Sequence, residues 1–304
     1  MMTHTELYNP SRTPQKTALV TGATGGIGQV TALELARAGY RVLLTARAAD
    51  KGQRVIEEMR VKGGTDALEL FVGDLSSMAE VRRIALEVRE RHPKLDVLVN
   101  NAGGLFTERH DTVDGFEYTF AFNHLAYFLL TNLLLGNLEA AGSARVVSVS
   151  SAASRLGRVY WDDPHFRTRY SAYAAYNQSK LMNVLFANAL ARRLRGTGVT
   201  SNSLHPGVVR SGFNFNPGGP IRIVFAISKL FSVSPEQGAE TNIYLATSPE
   251  VEGVTARYFV NKRPARANPI AYDESVQERL WALSEGLVSG WLNPVEHALV
   301  ETRV

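Results

Sequence analysis

The stretch Thr21-Gly22-Ala23-Thr24-Gly25-Gly26-Ile27-Gly28 decides the fold of this chain. It follows a strand-like apolar run at 17–20 and precedes a helix-like run at 29–38. In a strand–turn–helix unit, the free N–H groups and the dipole of the helix N-terminus bind a diphosphate, and glycine lets the backbone approach it closely. The spacing is G-x-x-x-G-x-G rather than the common G-x-G-x-x-G. The stretch predicts a dinucleotide-binding turn, and the alternative is a glycine-rich turn without a ligand.

The composition of the 304 residues limits the classes of protein that fit. Hydrophobic residues make up 45% and charged residues 20%, as in a soluble protein with a sizeable core. The net charge of +4 comes from scattered basic residues, which argues against a nucleic-acid partner. The chain has no cysteine, its histidines lack metal-ligand spacing, and no apolar run is long enough for a membrane span. We expect a cytoplasmic protein with no metal site and no membrane span.

Short apolar or β-branched runs alternate along the chain with longer amphipathic runs. This alternation predicts an α/β fold, namely a single doubly wound (Rossmann) domain whose mostly parallel sheet has about seven strands and helices on both faces. Ser77 with Glu80, and Ser234 with Gln237, fit helix N-terminal caps, and Gly39 fits a helix C-terminus. The predicted strands are 17–21, 41–45, 68–72, 96–100, 145–149, 199–204 and 256–260, and the predicted helices lie near 28–38, 50–62, 77–91, 115–139, 172–195 and 235–247.

Two segments interrupt the alternation within the predicted domain. We assign 1–15 to a flexible N-terminal tail, 16–290 to the domain and 291–304 to a C-terminal tail. The segment near 152–175 is rich in aromatic residues, and the segment near 212–233 continues as an apolar stretch. Long loops in compact domains are usually binding loops or lids, and ligands of open α/β sheets bind beyond the carboxyl ends of the strands. Both segments are therefore predicted to be substrate loops.

The end of the second predicted strand indicates which dinucleotide binds. An acidic residue at this position normally holds the ribose 2′-hydroxyl of NAD, whereas an arginine accommodates a 2′-phosphate. Here Arg47 follows the strand, Lys51 adds a second positive charge, and Asp50 comes slightly too late to hold the ribose. This predicts NADP(H) in preference to NAD(H), unless Arg47 is an ordinary exposed arginine. After the third strand, Asp74 either hydrogen-bonds the adenine or caps the next helix.

Tyr176 and Lys180 form the candidate chemical group on an amphipathic helix. Residues four apart project from one helix face, so the phenol and the ammonium can address one site. A free tyrosine titrates near ~10, and a neighbouring cation lowers that pKa, which suits proton transfer at neutral pH. Such pairs also occur by chance in many helices. The placement of Ser151 at the end of the fifth strand and of Asn123 in the preceding helix favours a functional pair.

Taken in order, these motifs resemble those of the short-chain dehydrogenase/reductase family. The motifs are Thr-Gly-x-x-x-Gly-Ile-Gly at 21–28, Asn-Asn-Ala-Gly at 100–103, Asn123, Ser151, Tyr176-x-x-x-Lys180 and Pro206-Gly207. The likeness covers roughly residues 15–290. Within the family the chain is most similar to the retinol-dehydrogenase-like branch, which includes the WW-domain oxidoreductases. The stretches 123–131, 205–211 and 279–281, and the wide gap between Ser151 and Tyr176, carry that closer likeness.

The resemblance implies a role for each matching residue. Tyr176 is the general acid or base, Lys180 binds the nicotinamide ribose and favours the phenolate, and Ser151, rather than its neighbour Ser150, orients the substrate oxygen. Asn123 holds a relay water. The implied cofactor-binding residues are Gly22, Thr24, Gly26, Ile27, Gly28, Arg47, Asp74, Leu75, Asn101, Ala102, Gly103, Tyr176, Lys180, Pro206, Gly207, Val208 and Ser211.

The leading hypothesis is an NADP(H)-dependent oxidoreductase that interconverts an apolar ketone or aldehyde and its alcohol. A non-catalytic NADP(H) sensor or scaffold is the first alternative, although relatives of that kind commonly lose the tyrosine or the lysine. A serine hydrolase built from Ser151, His165 and Asp162 is the second alternative, but the G-x-S-x-G elbow is absent. We also expect no membrane anchor of the kind found in many animal retinol dehydrogenases. The resemblance allows a homodimer through the helix that carries Tyr176.

Overall fold

The computed structural model of the protein describes residues 15–208 and 233–292. The strands are β1 (Thr17–Val20), β2 (Arg41–Ala46), β3 (Leu68–Val72), β4 (Val97–Asn100), β5 (Arg145–Val149), β6 (Thr200–His205), β7 (Tyr258–Val260) and β8 (Arg263–Ala265). The helices are α1 (Gly26–Arg37), α2 (Ala49–Gly63), α3 (Met78–Arg91), α4 (Tyr118–Phe120), α5 (Ala126–Leu133), α6 (Leu135–Ala140), α7 (Ala172–Arg193), α8 (Pro235–Thr247) and α9 (Glu274–Leu292). A π-helical turn spans Ala121–Leu125, and 3₁₀ turns span Ala152–Leu156, Pro249–Val251 and Pro269–Tyr272.

The strands form one sheet in the order β3-β2-β1-β4-β5-β6-β7-β8 within the described residues. All neighbouring pairs from β3 to β7 are parallel, and β8 alone pairs antiparallel with β7. The strand order reverses between β1 and β4, which is where ligands bind in sheets of this kind. The predicted doubly wound, mostly parallel sheet is confirmed, and it has one strand more than the seven predicted. The extra strand is three residues long and contains Pro264, which an edge position tolerates.

Two apolar layers cover the sheet, one on each face. The first lies between the sheet and α3, α5, α7 and α9, and includes Leu98, Val146 and Tyr258. The second lies between the sheet and α1, α2 and α8, and includes Val99 and Val147. Neighbouring strand residues thus enter opposite cores, as alternation along a strand requires. Burial on both faces explains why the central strands are almost continuously apolar.

Two of the predicted helix ends are confirmed in detail, and a third is confirmed in part. Ser234 and Gln237 form a reciprocal capping box with proline at the first helical position, and Gly39 adopts φ +86° after α1. At α3, the Ser77 side chain accepts from the Glu80 N–H at 3.5 Å. The Glu80 carboxylate, however, pairs with Arg83 at 2.7 Å, so the reciprocal half of that box is absent.

The predicted helix at 115–139 is interrupted in the structure. The chain turns through α4, passes through the π-helical turn and continues as α5 and α6. Asn123 lies within the π-helical turn. Such turns are rare and frequently accompany functional sites, because the extra residue changes the direction of side chains and carbonyl groups.

Helix α9 was not among the predicted elements, and it continues to Leu292, beyond the predicted domain end at 290. It packs against α7, α5 and α3. Every residue of α7 from 178 to 191 is buried. Pairing of two subunits through α7 stays a prediction. Among the helices of the described residues, none has the length and apolarity to cross a bilayer.

His124, in the π-helical turn, is a fully buried histidine between α7 and α9. Its Nδ1 lies 3.2 Å from Asn183 Oδ1 and its Nε2 lies 2.9 Å from Ser284 Oγ. Burial lowers the pKa of His124 to about 4, because the imidazolium would be cut off from water. The folded state therefore holds this side chain neutral at physiological pH.

We predict that His124 makes the protein lose stability as the pH falls from about 6.5 towards 4. Its pKa is lower in the folded chain than in the unfolded chain, so the unfolded state binds the proton first. Urea unfolding at pH 7 and pH 5 should show that the wild type loses about 2 kcal/mol more free energy of unfolding than His124→Asn. Equal losses in the two proteins would contradict the prediction.

Candidate active site

Hydrogen bonds between β1 and β4 hold the glycine turn at the point where the strand order reverses. The Thr21 hydroxyl accepts the N–H groups of Asn101 at 2.8 Å and Ala102 at 3.0 Å and donates to the Val99 carbonyl at 3.3 Å. The Asn101 amide donates in return to the Thr21 carbonyl at 2.9 Å. The two predicted motifs at 21–28 and 100–103 therefore form one rigid surface at the carboxyl ends of the strands.

The glycines of the turn are required for two different reasons. A β-carbon on Gly22 would stand 2.9 Å from Ala102 Cα, and one on Gly28 would stand 2.4 Å from the Gly22 carbonyl oxygen. Gly26, with φ +54°, faces open space instead. No side chain caps the N-terminus of α1, and its first turn contains no acidic residue. The free N–H groups thus face an open surface, which fits the diphosphate of a dinucleotide.

Basic residues adjoin the turn where the adenosine ribose of a dinucleotide would lie. Arg47 is exposed after β2 and lines the same cavity as the glycine turn. Lys51 Nζ lies 4.0 Å from the position of a β-carbon on Gly25. Asp74 also lines the cavity, and its Oδ1 accepts the Ser76 N–H at 2.9 Å. The cap of α3 is Ser77, so the alternative role of Asp74 as that cap is wrong.

Tyr176 and Lys180 meet on the cavity-facing side of α7. Lys180 is only 3% exposed, and its Nζ lies 5.6 Å from the centre of the Tyr176 ring and 3.3 Å from the Val149 carbonyl oxygen. Burial lowers the pKa of Lys180 to about 8. Burial also raises the pKa of Tyr176, and a hydrogen bond with Ser151 partly opposes that rise. Phenol, serine hydroxyl and ammonium therefore share one partly desolvated corner of the cavity.

The pKa of Tyr176 differs from the prediction that the neighbouring cation would lower it. Desolvation of the phenolate raises this pKa, and the hydrogen bond with Ser151 opposes only part of the rise. In the protein without a bound ligand, the Tyr176 phenol is therefore protonated at neutral pH. A protonated phenol is the form that a general acid requires.

The structure distinguishes the two neighbouring serines. Ser150 is buried and donates to the Lys180 carbonyl oxygen at 2.6 Å, so it fastens the end of β5 to α7. Ser151 is partly exposed and hydrogen-bonds Tyr176. Its Oγ also accepts the Ala153 N–H at 3.2 Å. Ser151 is thus the serine in position to contact a substrate oxygen.

Asn123 contributes to the site from behind the cavity wall. Its side-chain amide donates to the Gly104 carbonyl at 2.8 Å and to Ser179 Oγ at 3.0 Å. Its Oδ1 accepts the Gly104 N–H at 2.8 Å. The side chain therefore ties the π-helical turn to α7 and to the loop after β4. The implied relay water remains a prediction.

Nearly all predicted site residues line one cavity of about 1330 Å³. Its size exceeds the usual range of about 300–1,000 Å³ for pockets that hold one small molecule, so a dinucleotide and a substrate fit together. Ser211 and positions 212–232 of the predicted second loop lie outside the described residues. The predicted residues that line it are Gly22, Thr24, Gly26, Ile27, Gly28, Arg47, Asp74, Leu75, Asn101, Ala102, Gly103, Ser151, Tyr176, Lys180, Pro206, Gly207 and Val208.

The sequence did not reveal an aromatic wall of the cavity. Phe106 and Phe122 line the cavity, and Tyr118 packs edge-on against Phe106 with ring centres 4.5 Å apart. The Tyr170 hydroxyl donates to the Phe106 carbonyl at 2.8 Å, so the loop after β5 supports the wall. The aromatic content of 152–175 pointed to this region, but Phe106 lies in a loop with no periodic pattern. Leu105, Leu156, Tyr173 and His205 line the cavity as well.

The alternative of a serine hydrolase does not match the geometry. Ser151 lines the cavity, whereas His165 and Asp162 do not. His165 stacks on Phe116 with ring centres 5.8 Å apart, and its Nδ1 accepts the Glu117 N–H at 3.3 Å. The His165 side chain thus packs against the loop before α4, and it forms no nucleophile–base pair with Ser151.

Known proteins resemble this chain in both sequence and architecture. The family model described as short chain dehydrogenase matches residues 16–216. Retinol dehydrogenase 14 of Homo sapiens is 43% identical over 293 residues, which cover 90% of this chain and 86% of that protein. A solved structure of an uncharacterised protein from Mycobacterium paratuberculosis is 34% identical, with a TM-score of 0.74 and coverage of 90% and 94% of the two chains.

A third similar protein is a variant of the actinorhodin polyketide ketoreductase, solved with NADPH. It is 26% identical, with a TM-score of 0.61 and coverage of 81% of this chain and 95% of that chain. The segment matched by the family model includes the glycine turn, Ser151, Tyr176 and Lys180, and the likeness to retinol dehydrogenase extends beyond it. The chain therefore belongs to the short-chain dehydrogenase family, in its retinol-dehydrogenase-like branch.

Proposed function

We propose that this short-chain dehydrogenase is an NADP(H)-dependent oxidoreductase that interconverts an apolar ketone or aldehyde and its alcohol, with Tyr176 as the general acid or base. One observation carries the proposal. Tyr176, Ser151 and the buried Lys180 converge in the same cavity as the uncapped glycine turn. A dinucleotide bound on the turn and a carbonyl oxygen beside Tyr176 would be in position to react.

The residues act through proton placement and charge. The bound nicotinamide supplies or accepts the hydride. In reduction, the Tyr176 hydroxyl donates its proton to the carbonyl oxygen as negative charge develops there, and the Ser151 hydroxyl donates a hydrogen bond to the same oxygen. Lys180 stabilises the phenolate that remains, because its ammonium lies beside the ring and is shielded from water. In oxidation the same groups act in reverse, with Tyr176 as base.

The preference for NADP(H) rests on charge at the end of β2. Arg47 and Lys51 approach the rim of the glycine turn, and the strand ends without an acidic residue. A 2′-phosphate would gain charge-assisted hydrogen bonds there. The ketoreductase of similar fold was solved with NADPH.

The preference for apolar substrates rests on the aromatic and aliphatic wall of the cavity. Phe106, Phe122, Leu105 and Leu156 present rings and aliphatic groups to the cavity. A chain of methylene groups or a fused ring would lose contact with water along this wall, whereas a sugar would lose hydrogen bonds to water. Retinol, named in the human relative, is an apolar alcohol of this class.

Replacement of Tyr176 by phenylalanine is expected to lower kcat for carbonyl reduction by about 10²- to 10⁴-fold, because the proton donor is removed. NADPH oxidation is followed at 340 nm over a panel of aldehydes and ketones, and NADPH binding is followed by fluorescence. Tyr244→Phe is the control, because Tyr244 lies on α8, donates its hydroxyl to Glu250 in the following 3₁₀ turn and does not line the cavity. NADPH binding without turnover of any panel member by the wild type would favour the sensor or scaffold instead.

Replacement of Arg47 by alanine is expected to weaken NADPH binding by roughly 10- to 100-fold, as for the loss of one hydrogen bond to a charged group. NADH binding should change little, because NADH lacks the 2′-phosphate. Dissociation constants for both cofactors are measured for the wild type, Arg47→Ala and the control Arg54→Ala, which removes an exposed arginine of α2. Equal wild-type affinities for NADPH and NADH would overturn the proposed preference.

A series of straight-chain aldehydes provides the test of substrate class. We expect kcat/KM to rise roughly fourfold for each added methylene over the first several carbons, since each buried methylene contributes about 0.8 kcal/mol. Sugar aldehydes of equal carbon number should react far more slowly. Activity confined to sugars or hydroxy acids would contradict the apolar assignment.

A further inference from the structure

Four fully buried polar residues connect the π-helical turn, α7 and α9 by hydrogen bonds. They are Asn123 and His124 of the π-helical turn, Asn183 of α7 and Ser284 of α9, each 0% exposed. None of the four lines the cavity. Buried polar groups of this kind are costly unless every member of the set is paired. Their hydrogen bonds therefore identify what the set holds in place.

The orientation of Asn183 follows from its two carbonyl partners. Its side-chain nitrogen lies 3.0 Å from the Asn123 carbonyl oxygen and 3.3 Å from the Val149 carbonyl oxygen. Carbonyl oxygens only accept hydrogen bonds, so the nitrogen must point towards them and Oδ1 must point away. The Val149 carbonyl also accepts from Lys180 Nζ at 3.3 Å. Asn183 and Lys180 thus share one acceptor at the end of β5.

The orientation of Asn183 in turn determines the tautomer of His124. Asn183 Oδ1 only accepts, so His124 Nδ1, 3.2 Å away, must carry the proton. Burial keeps the ring neutral, so Nε2 has no proton and accepts from the Ser284 hydroxyl at 2.9 Å. Phe120 stacks on the imidazole and holds its plane. Each donor in the sequence Ser284, His124, Asn183 therefore has an acceptor, and the series ends at two backbone carbonyls.

We propose that Asn183 is a positioning residue for Lys180, and that His124 fixes the orientation in which Asn183 acts. The amide joins the end of β5 to the π-helical turn, and both flank the ammonium. Loss of the amide would remove its hydrogen bonds to the Val149 and Asn123 carbonyls and leave α7 to settle differently against β5. This positioning role rests on the proposed function, in which Lys180 binds the cofactor ribose and stabilises the Tyr176 phenolate.

The physical argument is that Lys180 cannot hold its own position. Its stem is a flexible chain of four carbons, and its hydrogen bond within the described residues goes to one backbone carbonyl. An ammonium on such a stem is placed by what surrounds it. Two hydrogen bonds hold β5 and α7 together around the ammonium. Asn183 donates to the Val149 carbonyl, and Ser150 donates to the Lys180 carbonyl. Small displacements of a reacting group of this kind are costly to the rate.

The test compares variants that break these hydrogen bonds with a variant that preserves the hydrogen bond to Asn183 Oδ1. Asn183→Leu removes the amide, and His124→Leu removes the donor that orients it. His124→Asn keeps a donor near the position of Nδ1 and loses only the bond to Ser284. Asn188→Leu is the matched control, because Asn188 is a buried asparagine of the same helix whose amide donates at 2.8 Å to the Ala271 carbonyl. Measurements are kcat, the NADPH dissociation constant and the melting temperature.

We expect Asn183→Leu and His124→Leu to lower kcat by roughly 10- to 100-fold, the cost of a misplaced reacting group. Both should also weaken NADPH binding severalfold. His124→Asn should stay within about fivefold of the wild type in both quantities, as for the loss of one neutral hydrogen bond. Asn188→Leu should lower the melting temperature without these effects.

Two results would overturn the positioning role. One is wild-type kcat and NADPH affinity in Asn183→Leu or His124→Leu, and the other is an equal loss in Asn188→Leu. If Asn183→Leu does not fold, the comparison of His124→Leu with His124→Asn tests the positioning role. If His124 were purely structural, His124→Asn would not restore the kcat and the NADPH affinity that His124→Leu loses. If the wild type turns over no carbonyl substrate, the proposed function fails, and the pattern of NADPH affinities still decides the positioning role.

Discussion

The close approach of the glycine turn to the end of β4 is the constraint on which the site depends. The backbone of Gly22 lies so near Ala102 that a β-carbon would clash, and a β-carbon on Gly28 would clash with the Gly22 carbonyl oxygen. Thr21 and Asn101 fasten the contact by hydrogen bonds in both directions. The contact lies between β1 and β4, where the strand order reverses and the crossover helices diverge to opposite faces. The cleft between them is the cavity, so the steric requirement for glycine and the location of the site have one cause.

A buried ammonium is the second constraint, and it opposes stability. Lys180 loses most of its hydration, and within the described residues burial is the only cause of its pKa shift, with no charged neighbour opposing it. Tyr176 responds to the same burial in the opposite direction, so the proton stays on the phenol. In the proposed mechanism, a ligand that supplied acceptors to Nζ would strengthen the cation and thereby favour the phenolate, which would couple proton transfer to occupancy of the site.

Much of the fold could be predicted because its signals are local. The strands at 68–72 and 145–149 lie as predicted, since apolar runs between turn residues are unambiguous when helices alternate with them. The π-helical turn could not be predicted, because the hydrogen bonds that its Asn123 side chain makes go to Gly104 and Ser179, which are distant in sequence. Strand β8 is too short to give a pattern. Helix α9 has apolar residues at helical spacing, but Ser284 and two glycines dilute them.

The same distinction between local and distant partners divides the site itself. Gly26 and the pair Tyr176 and Lys180 were recognisable because each acts at a fixed offset along the chain. Asn183 carries no such signal: its partners are two backbone carbonyls, and any asparagine in an apolar helix looks the same in the sequence. His124 and Ser284 extend that dependence to α9, about a hundred residues beyond Tyr176 along the chain. Motifs thus identify the groups that touch the reacting atoms, whereas the buried hydrogen bonds that hold those groups in place emerge only when packing brings separate elements together.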